Sequence, residues 1–315
     1  MAKFVLRRLL AAIPVLVGGS IVVFLMLKLV PGDAARTILG QAASEERVQA
    51  LREVLGLNRP IYEQYFRWLW QYLTGQWGMS LVYTTPIKDL LFTRFLNTLI
   101  LTAGSLVLVL AVAIPVGLIS GTRRFSFFDR SSMLFALIGA SLPQFWLGLM
   151  LILVFSLRLG WFPATGMYSM RGDQGLVDLL HHLVLPAITT AAVSAAVVTR
   201  LLRSAAVDII HQEYIKALRA KGFTDRVVNF QFVLRSALIP LVNITGLQIG
   251  YLLGGAVFSE VIFNWPGMGH LLYVSILNRD VPVVQASVLL VTFCFVLVNM
   301  LADVTEVWLN PRAQG

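Results

Sequence analysis

Apolar residues fall along this chain in six long runs, near 9–30, 97–121, 132–157, 183–200, 238–258 and 284–308. Most reach the length of a helix crossing a hydrocarbon core, which takes about 20 residues at a rise of about 1.5 Å each. Between them lie polar stretches with helical periodicity. In "SEERVQALREVLG", Ser44 is placed as an N-cap, Glu45 and Glu46 occupy the first turn, Val48, Leu51 and Leu55 share one face, and Gly56 is the stop. In "NRPIYEQYFRWLWQYLTG", Ile61, Tyr65, Trp68, Leu69 and Tyr72 recur at helical spacing before Gly75. An interfacial aromatic belt accounts for that face, with a partner-binding surface as the alternative. The pattern predicts an all-α integral membrane protein of about six transmembrane helices, with a structured segment at 31–96 that is too long for a plain loop.

Composition agrees, with 57% apolar and 13% charged residues and a mean hydropathy of +0.78. "MAKFVLRR" has the basic start of a signal peptide, but the apolar run behind it is about twice the usual length, so a retained helix is expected. Lys28 lies near its far end, within snorkelling reach of the interface. The net charge of +9 first suggests nucleic acid. Its distribution explains it otherwise. With an even number of spans, the segments on the side of the termini hold 14 basic and 4 acidic residues, and those on the other side 10 of each. That asymmetry places both termini in the cytoplasm and requires no nucleic acid. The one cysteine, Cys294, excludes an intrachain disulfide and reads as a packing residue.

Ionisable residues are scarce in the six runs: Lys28 at one end of the first, Asp303 and Glu306 toward the end of the last. A carrier driven by an ion gradient usually places such groups near mid-membrane. The polar content is instead uncharged. The Ala-, Ser- and Thr-rich "LPAITTAAVSAAVVT" permits close packing and places the fourth span in the middle of the bundle. Gln144, Asn243 and Gln248 either bond neighbouring helices or line an aqueous pathway. The chain has no G-x-x-x-x-G-K-[ST] phosphate cradle, no G-x-S-x-G and no H-E-x-x-H, and His181, His182 and His270 sit at span boundaries without metal-ligand spacing. No catalytic residue and no metal site is predicted.

The segment 201–237 is the longest on the basic side. A helix is expected to run from the fourth span through "DIIHQEYIKALRAK", with Tyr214, Leu218 and Lys221 near one line and small Ala217 and Ala220 beside them. Gly222 suits a C′ stop, and Thr224 with Asp225 a fresh start. Such an element is either a solvated basic loop at the lipid surface or a docking element for a cytoplasmic partner.

"EYIKALRAKG" followed by "RSALIP" resembles the EAA loop of permease subunits of binding-protein-dependent ABC importers, in the form of the dipeptide, oligopeptide and nickel group. "LRRLLAAIPVL", "VPGDAAR", "LGLNRPIYEQY", "SLPQFWLGL", "LGWFPATG", "RLLRSAAVDII", "VIFNWPGMGHLL" and "RDVPVVQA" resemble the same group in order, across nearly the whole chain. Where the general loop has Glu, Ala, Ala and Gly, this chain has Lys216, Ala217, Leu218 and Gly222. The resemblance implies a type I importer fold (MetI-like): residues 1–30 as N-terminus and first helix, 31–96 as an extracytoplasmic segment, and 97–315 as a core permease domain with coupling loop 201–237.

It also implies a non-catalytic subunit in the bacterial inner membrane, pairing with a second homologous permease, two ATP-binding cassette subunits and an extracytoplasmic binding protein. ATP and Mg would be held by the partners, with no cofactor in this chain. Short peptides are the implied cargo, with chelated nickel or glutathione-like substrates as the alternative. Glu213, Tyr214, Lys216, Ala217, Leu218, Arg219, Lys221 and Gly222 are the implied ATPase-coupling residues. Asp33, Trp265, Pro266 and Gly267 are candidates for binding-protein docking. A self-contained channel or secondary carrier explains the spans but leaves the 201–237 element without a role. A membrane-embedded enzyme lacks a nucleophile or acid–base pair.

Overall fold

The computed structural model describes residues 2–29, 36, 43–170, 172 and 174–309, and among them the regular structure is helical apart from one isolated bridge between Met79 and Pro86. In chain order the helices are α1 (Ala2–Leu29), α2 (Glu45–Leu55), α3 (Ile61–Leu73), α4 (Ile87–Thr122), α5 (Phe127–Ser141) and α6 (Gln144–Leu151). α7 (Leu176–Ile210), α8 (Glu213–Ala220), the short α9 (Asp225–Val227), α10 (Leu234–Ile262), α11 (Met268–Leu277) and α12 (Val281–Leu309) follow. Wider π-helical turns continue α6 over Ile152–Arg158 and join α9 to α10 over Val228–Val233.

Among the described residues, Arg7–Met26, Ile87–Thr122, Leu176–Ile210, Ile244–Ile262 and Val281–Leu301 are long and apolar enough to cross a membrane. The third run is corrected. It is not a single helix over 132–157 but a pair, α5 and α6, bent by 105°. Proline restricts the residue before it to extended backbone, and Leu142, ahead of Pro143, adopts φ −73°, ψ 130°. Pro14, Pro115 and Pro186 sit inside continuous helices, so a proline alone does not decide where a helix breaks.

The chain divides into two compact units, Met1–Leu6 with Phe95–His270 and Leu297–Gly315, and Arg7–Arg94 with Leu271–Val296. In the first, α7 is the central element: 67% of its most apolar window is buried, against 17–33% for the other four spans. Its small side chains permit this, since a Cβ at Gly121 would lie 2.6 Å from that of Ala206 and one at Gly117 3.0 Å from the Thr199 carbonyl oxygen. α7 also packs against α5 and α10. In the second unit, α2 begins after Ser44 and ends at left-handed Gly56 (φ 68°), where Gly56 N–H bonds the Glu53 carbonyl and Leu57 N–H that of Arg52. α3 packs its Tyr65–Trp68–Tyr72 face on Phe24 and is capped by left-handed Gly75.

Candidate functional site

The basic segment is built on a buried root. α7 ends at Ile210, and Gln212, extended at φ −71°, ψ 147°, starts α8 afresh. The continuous helix expected through "DIIHQEYIKALRAK" is therefore corrected to two helices interrupted at His211 and Gln212. The reorientation allows Ile215 to enter a core formed by Leu118, Leu202, Ala206, Ile209, Val228, Val233 and Ala237, with Leu218 half-buried against it. Burying one such side chain contributes about 1.5–3 kcal/mol. α8 ends as its sequence indicates: Gly222 is left-handed (φ 91°), Phe223 N–H bonds the Leu218 carbonyl and Gly222 N–H bonds that of Arg219. This is a Schellman stop, and Thr224 in extended conformation opens α9.

Glu213, Tyr214, Lys216, Ala217, Arg219, Lys221 and Gly222 are exposed. Lys216 pairs with Glu213 at 2.8 Å and Arg219 with Asp225 at 3.2 Å. Exposed pairs contribute at most about 1 kcal/mol, so both charges remain available to a partner. Tyr214 hydroxyl is 3.1 Å from that of Ser236 on α10. The expected coupling residues thus share one short exposed helix and its stop, except that Leu218 serves the root more than the outward face. Ile215, which roots the element, was not singled out in the sequence, because only tertiary packing distinguishes it from its neighbours.

At the same end of α7, Arg203 clamps Asp129 through two bonds, Nε–Oδ1 at 2.5 Å and Nη2–Oδ2 at 2.8 Å. Asp129 also accepts from Phe125 N–H, while Ser126 caps α5 by accepting from Asp129 N–H. The bidentate pair ties the start of α5 to α7; sequence reading counted both residues only as loop charges.

Of the polar residues expected either to bond helices or to line a pathway, Gln144 bonds: its amide donates to the Gly255 carbonyl (3.0 Å) and the Ser259 hydroxyl (3.3 Å) on α10, and Thr190 of α7 donates to the same Ser259 (2.8 Å). Gln248 is half-buried. The side chains of Asn243, Lys28, Asp303 and Glu306 lie outside the described residues, as does Asp33 altogether.

The turn 263–268 differs from its expected role. Trp265 and Gly267 are buried within the chain, so neither presents a docking surface, and Pro266 is half-buried. The cause is Glu260, a wholly buried carboxylate in the last turns of α10. It accepts from the Thr98 hydroxyl (2.6 Å) and from the N–H groups of Gly269 (2.6 Å) and His270 (3.1 Å) in the first turn of α11. A carboxyl oxygen there satisfies helix donors that would otherwise be orphaned. Trp265 Nε1–H donates to the Asn97 carbonyl, and Asn97 donates back to that of Pro266. A Cβ on Gly267 would collide with the Glu260 carboxylate. Placing the fifth span's end at 258 left Glu260 in a loop, whereas α10 continues to Ile262.

Residues 113–315 match the family model described as binding-protein-dependent transport system inner membrane component, and residues 1–102 match the model of the N-terminal part of such a membrane component. The oligopeptide transport system permease protein AppB of Bacillus subtilis (strain 168) is 38% identical over 315 residues, 100% of both chains. The glutathione transport system permease protein GsiC of Escherichia coli (strain K12) is 40% identical over 311 residues, 99% of this chain and 98% of that one. Among solved structures, a chain of the MetNI methionine ABC transporter in inward-facing conformation superposes with a TM-score of 0.58 at 19% identity, covering 71% of this chain and 98% of that one. The last likeness supports the MetI-like all-α bundle alone. Full-length similarity and the two matching family models together place the chain among the inner membrane permease components of binding-protein-dependent ABC importers.

Proposed function

We propose that this permease forms half of a translocation pathway that imports short peptides, with a second, homologous permease forming the other half. The cargo reading rests on its relatives: oligopeptides and glutathione, named for AppB and GsiC, are both short peptides. Two ATP-binding cassette subunits, holding ATP and Mg, lie on the side of the basic segment. An extracytoplasmic binding protein delivers cargo on the other side, and both termini are cytoplasmic. The observation that carries the coupling is α8 itself, an exposed helix fixed to the span core through Ile215. Closure of the ATPase pair displaces α8, and its root transmits the displacement to α4, α7 and α10 as a rigid-body rearrangement. Glu213, Tyr214, Lys216, Ala217, Arg219, Lys221 and Gly222 form the contact, and Leu218 braces it. Asn243 and Gln248 remain the candidates for the pathway wall.

The test is purification from the native membrane in mild detergent with identification of what accompanies the chain. A second multi-pass chain, Walker-containing subunits and vanadate-sensitive ATP hydrolysis are expected. Purification of this chain alone and free of ATPase, even after crosslinking in the membrane, would overturn the proposal in favour of a self-contained channel or carrier.

A further inference from the structure

α3 is amphipathic in three directions rather than two. With about 100° between successive side chains, Tyr65, Trp68 and Tyr72 share one sector. Tyr62, Phe66, Trp70 and Leu73 fall within about 80° of one another in the next. Glu63, Arg67 and Gln71 occupy the third. The first sector is the one that packs inward: Phe24 lies 5.5 Å from Tyr65 and 5.6 Å from Trp68 between ring centroids, Tyr65 hydroxyl is 2.7 Å from that of Ser20, and Tyr72 hydroxyl donates to the Pro282 carbonyl. Burial pushes the Tyr72 phenol up, so that hydroxyl stays protonated as a donor. The second sector is apolar yet covered by none of the described residues: Tyr62, Phe66, Trp70 and Leu73 are 63%, 65%, 67% and 73% exposed.

We infer that this second sector is seated in the headgroup–acyl boundary of the bilayer, so that α3 is an interfacial helix strapped to the ends of two spans. Its anchors set its depth. Phe24 lies in the last two turns of α1, which ends at Leu29, and Pro282 at the start of the apolar stretch Val281–Leu301. Phe24 is about 8 Å, five residues, short of the end of α1 at Leu29. That matches the depth of about 5–10 Å at which interfacial helices bury their apolar face. A water-borne partner would have to reach below the polar boundary to cover Phe66 and Trp70, whereas lipid is already there. The third sector keeps Arg67 and Gln71 exposed on the other side, as a helix lying in the boundary plane requires, and Trp and Tyr are the residues favoured at that level. The face assigned to lipid is not the Tyr65–Trp68–Tyr72 face that periodicity singles out. Assignment to the outer leaflet rests on the topology proposed above; seating in lipid does not.

The test uses the full chain with Cys294→Ser and one nitroxide-labelled cysteine at a time, Phe66→Cys, Trp70→Cys, Arg67→Cys or Gln71→Cys, reconstituted in phosphatidylcholine–phosphatidylglycerol vesicles. At 66 and 70, collision with oxygen is expected to rise and collision with an aqueous nickel chelate to be lost; at 67 and 71 the order reverses. Equal access of the chelate around the helix would overturn the inference, as would shielding of 66 and 70 from both reagents, the signature of a covering protein. Neither result bears on whether an ATPase docks on α8.

Discussion

Two glycine-containing turns, at Gly222 and Gly267, read alike in the sequence and are built on opposite principles. At Gly222 nothing lies within 4 Å of where a Cβ would be, and the requirement is backbone conformation, φ 91°. At Gly267 the backbone is ordinary for any residue and the requirement is space, because the Glu260 carboxylate occupies the Cβ position. The first turn is open to solvent and ready for a partner; the second is closed around a buried acid. A glycine in a turn therefore says nothing about exposure until its surroundings are known.

The largest effect belongs to the closed turn. Glu260→Ala removes the acceptor shared by Thr98, Gly269 and His270, a loss of about 3–9 kcal/mol when each of the three buried donors costs about 1–3. The expected result is a much shorter half-life of the folded protein on mild heating in detergent, the operational measure where unfolding is irreversible. A half-life like that of the parent would show that the carboxylate is not what holds the turn. Ile215→Ala, at about 2–4 kcal/mol, should act locally: amide exchange across 213–228 accelerates while α7 retains its protection. Uniform acceleration would contradict a separately rooted element.

Paired substitutions sharpen the contrast between the glycines. Gly267→Val is expected to cost about 1–3 kcal/mol by overpacking and to lower the yield of folded protein. Gly222→Val costs about 1–2 kcal/mol for left-handed backbone and should leave insertion and yield intact while transport falls relative to ATP hydrolysis. Unchanged transport by Gly222→Val would argue that the Schellman stop does not matter for coupling. The smallest effect is Ser44→Ala, below about 0.5 kcal/mol, because the Ser44 hydroxyl makes no cap bond. A larger loss of α2 helicity would mean that the cap forms in the membrane.

Legibility in the sequence follows the range of the interaction. The Gly56, Gly75 and Gly222 stops were readable because a left-handed cap is set within a few residues, and the small-residue pattern of "AAVSAA" was enough to place α7 at the centre. Long-range contacts were not readable. Ile215 looks like any apolar residue of a short helix until Val228, Val233 and Ala237 return to meet it. Glu260 looked like a loop charge because the hydrophobic run fades two residues before it, although its partners on α4 and α11 allow the helix to carry it inside. Pro143 alone does not announce the bend, since Pro115 and Pro186 sit in unbroken helices.

Seating of an ATPase subunit on α8 is open to direct test with a photo-crosslinking residue at exposed Ala217, with buried Ile215 as the control, irradiated in the native membrane. An adduct between position 217 and a Walker-containing subunit, absent at 215, is the expected result. Adducts from 217 only to lipid, or to no protein at all, would contradict that seating.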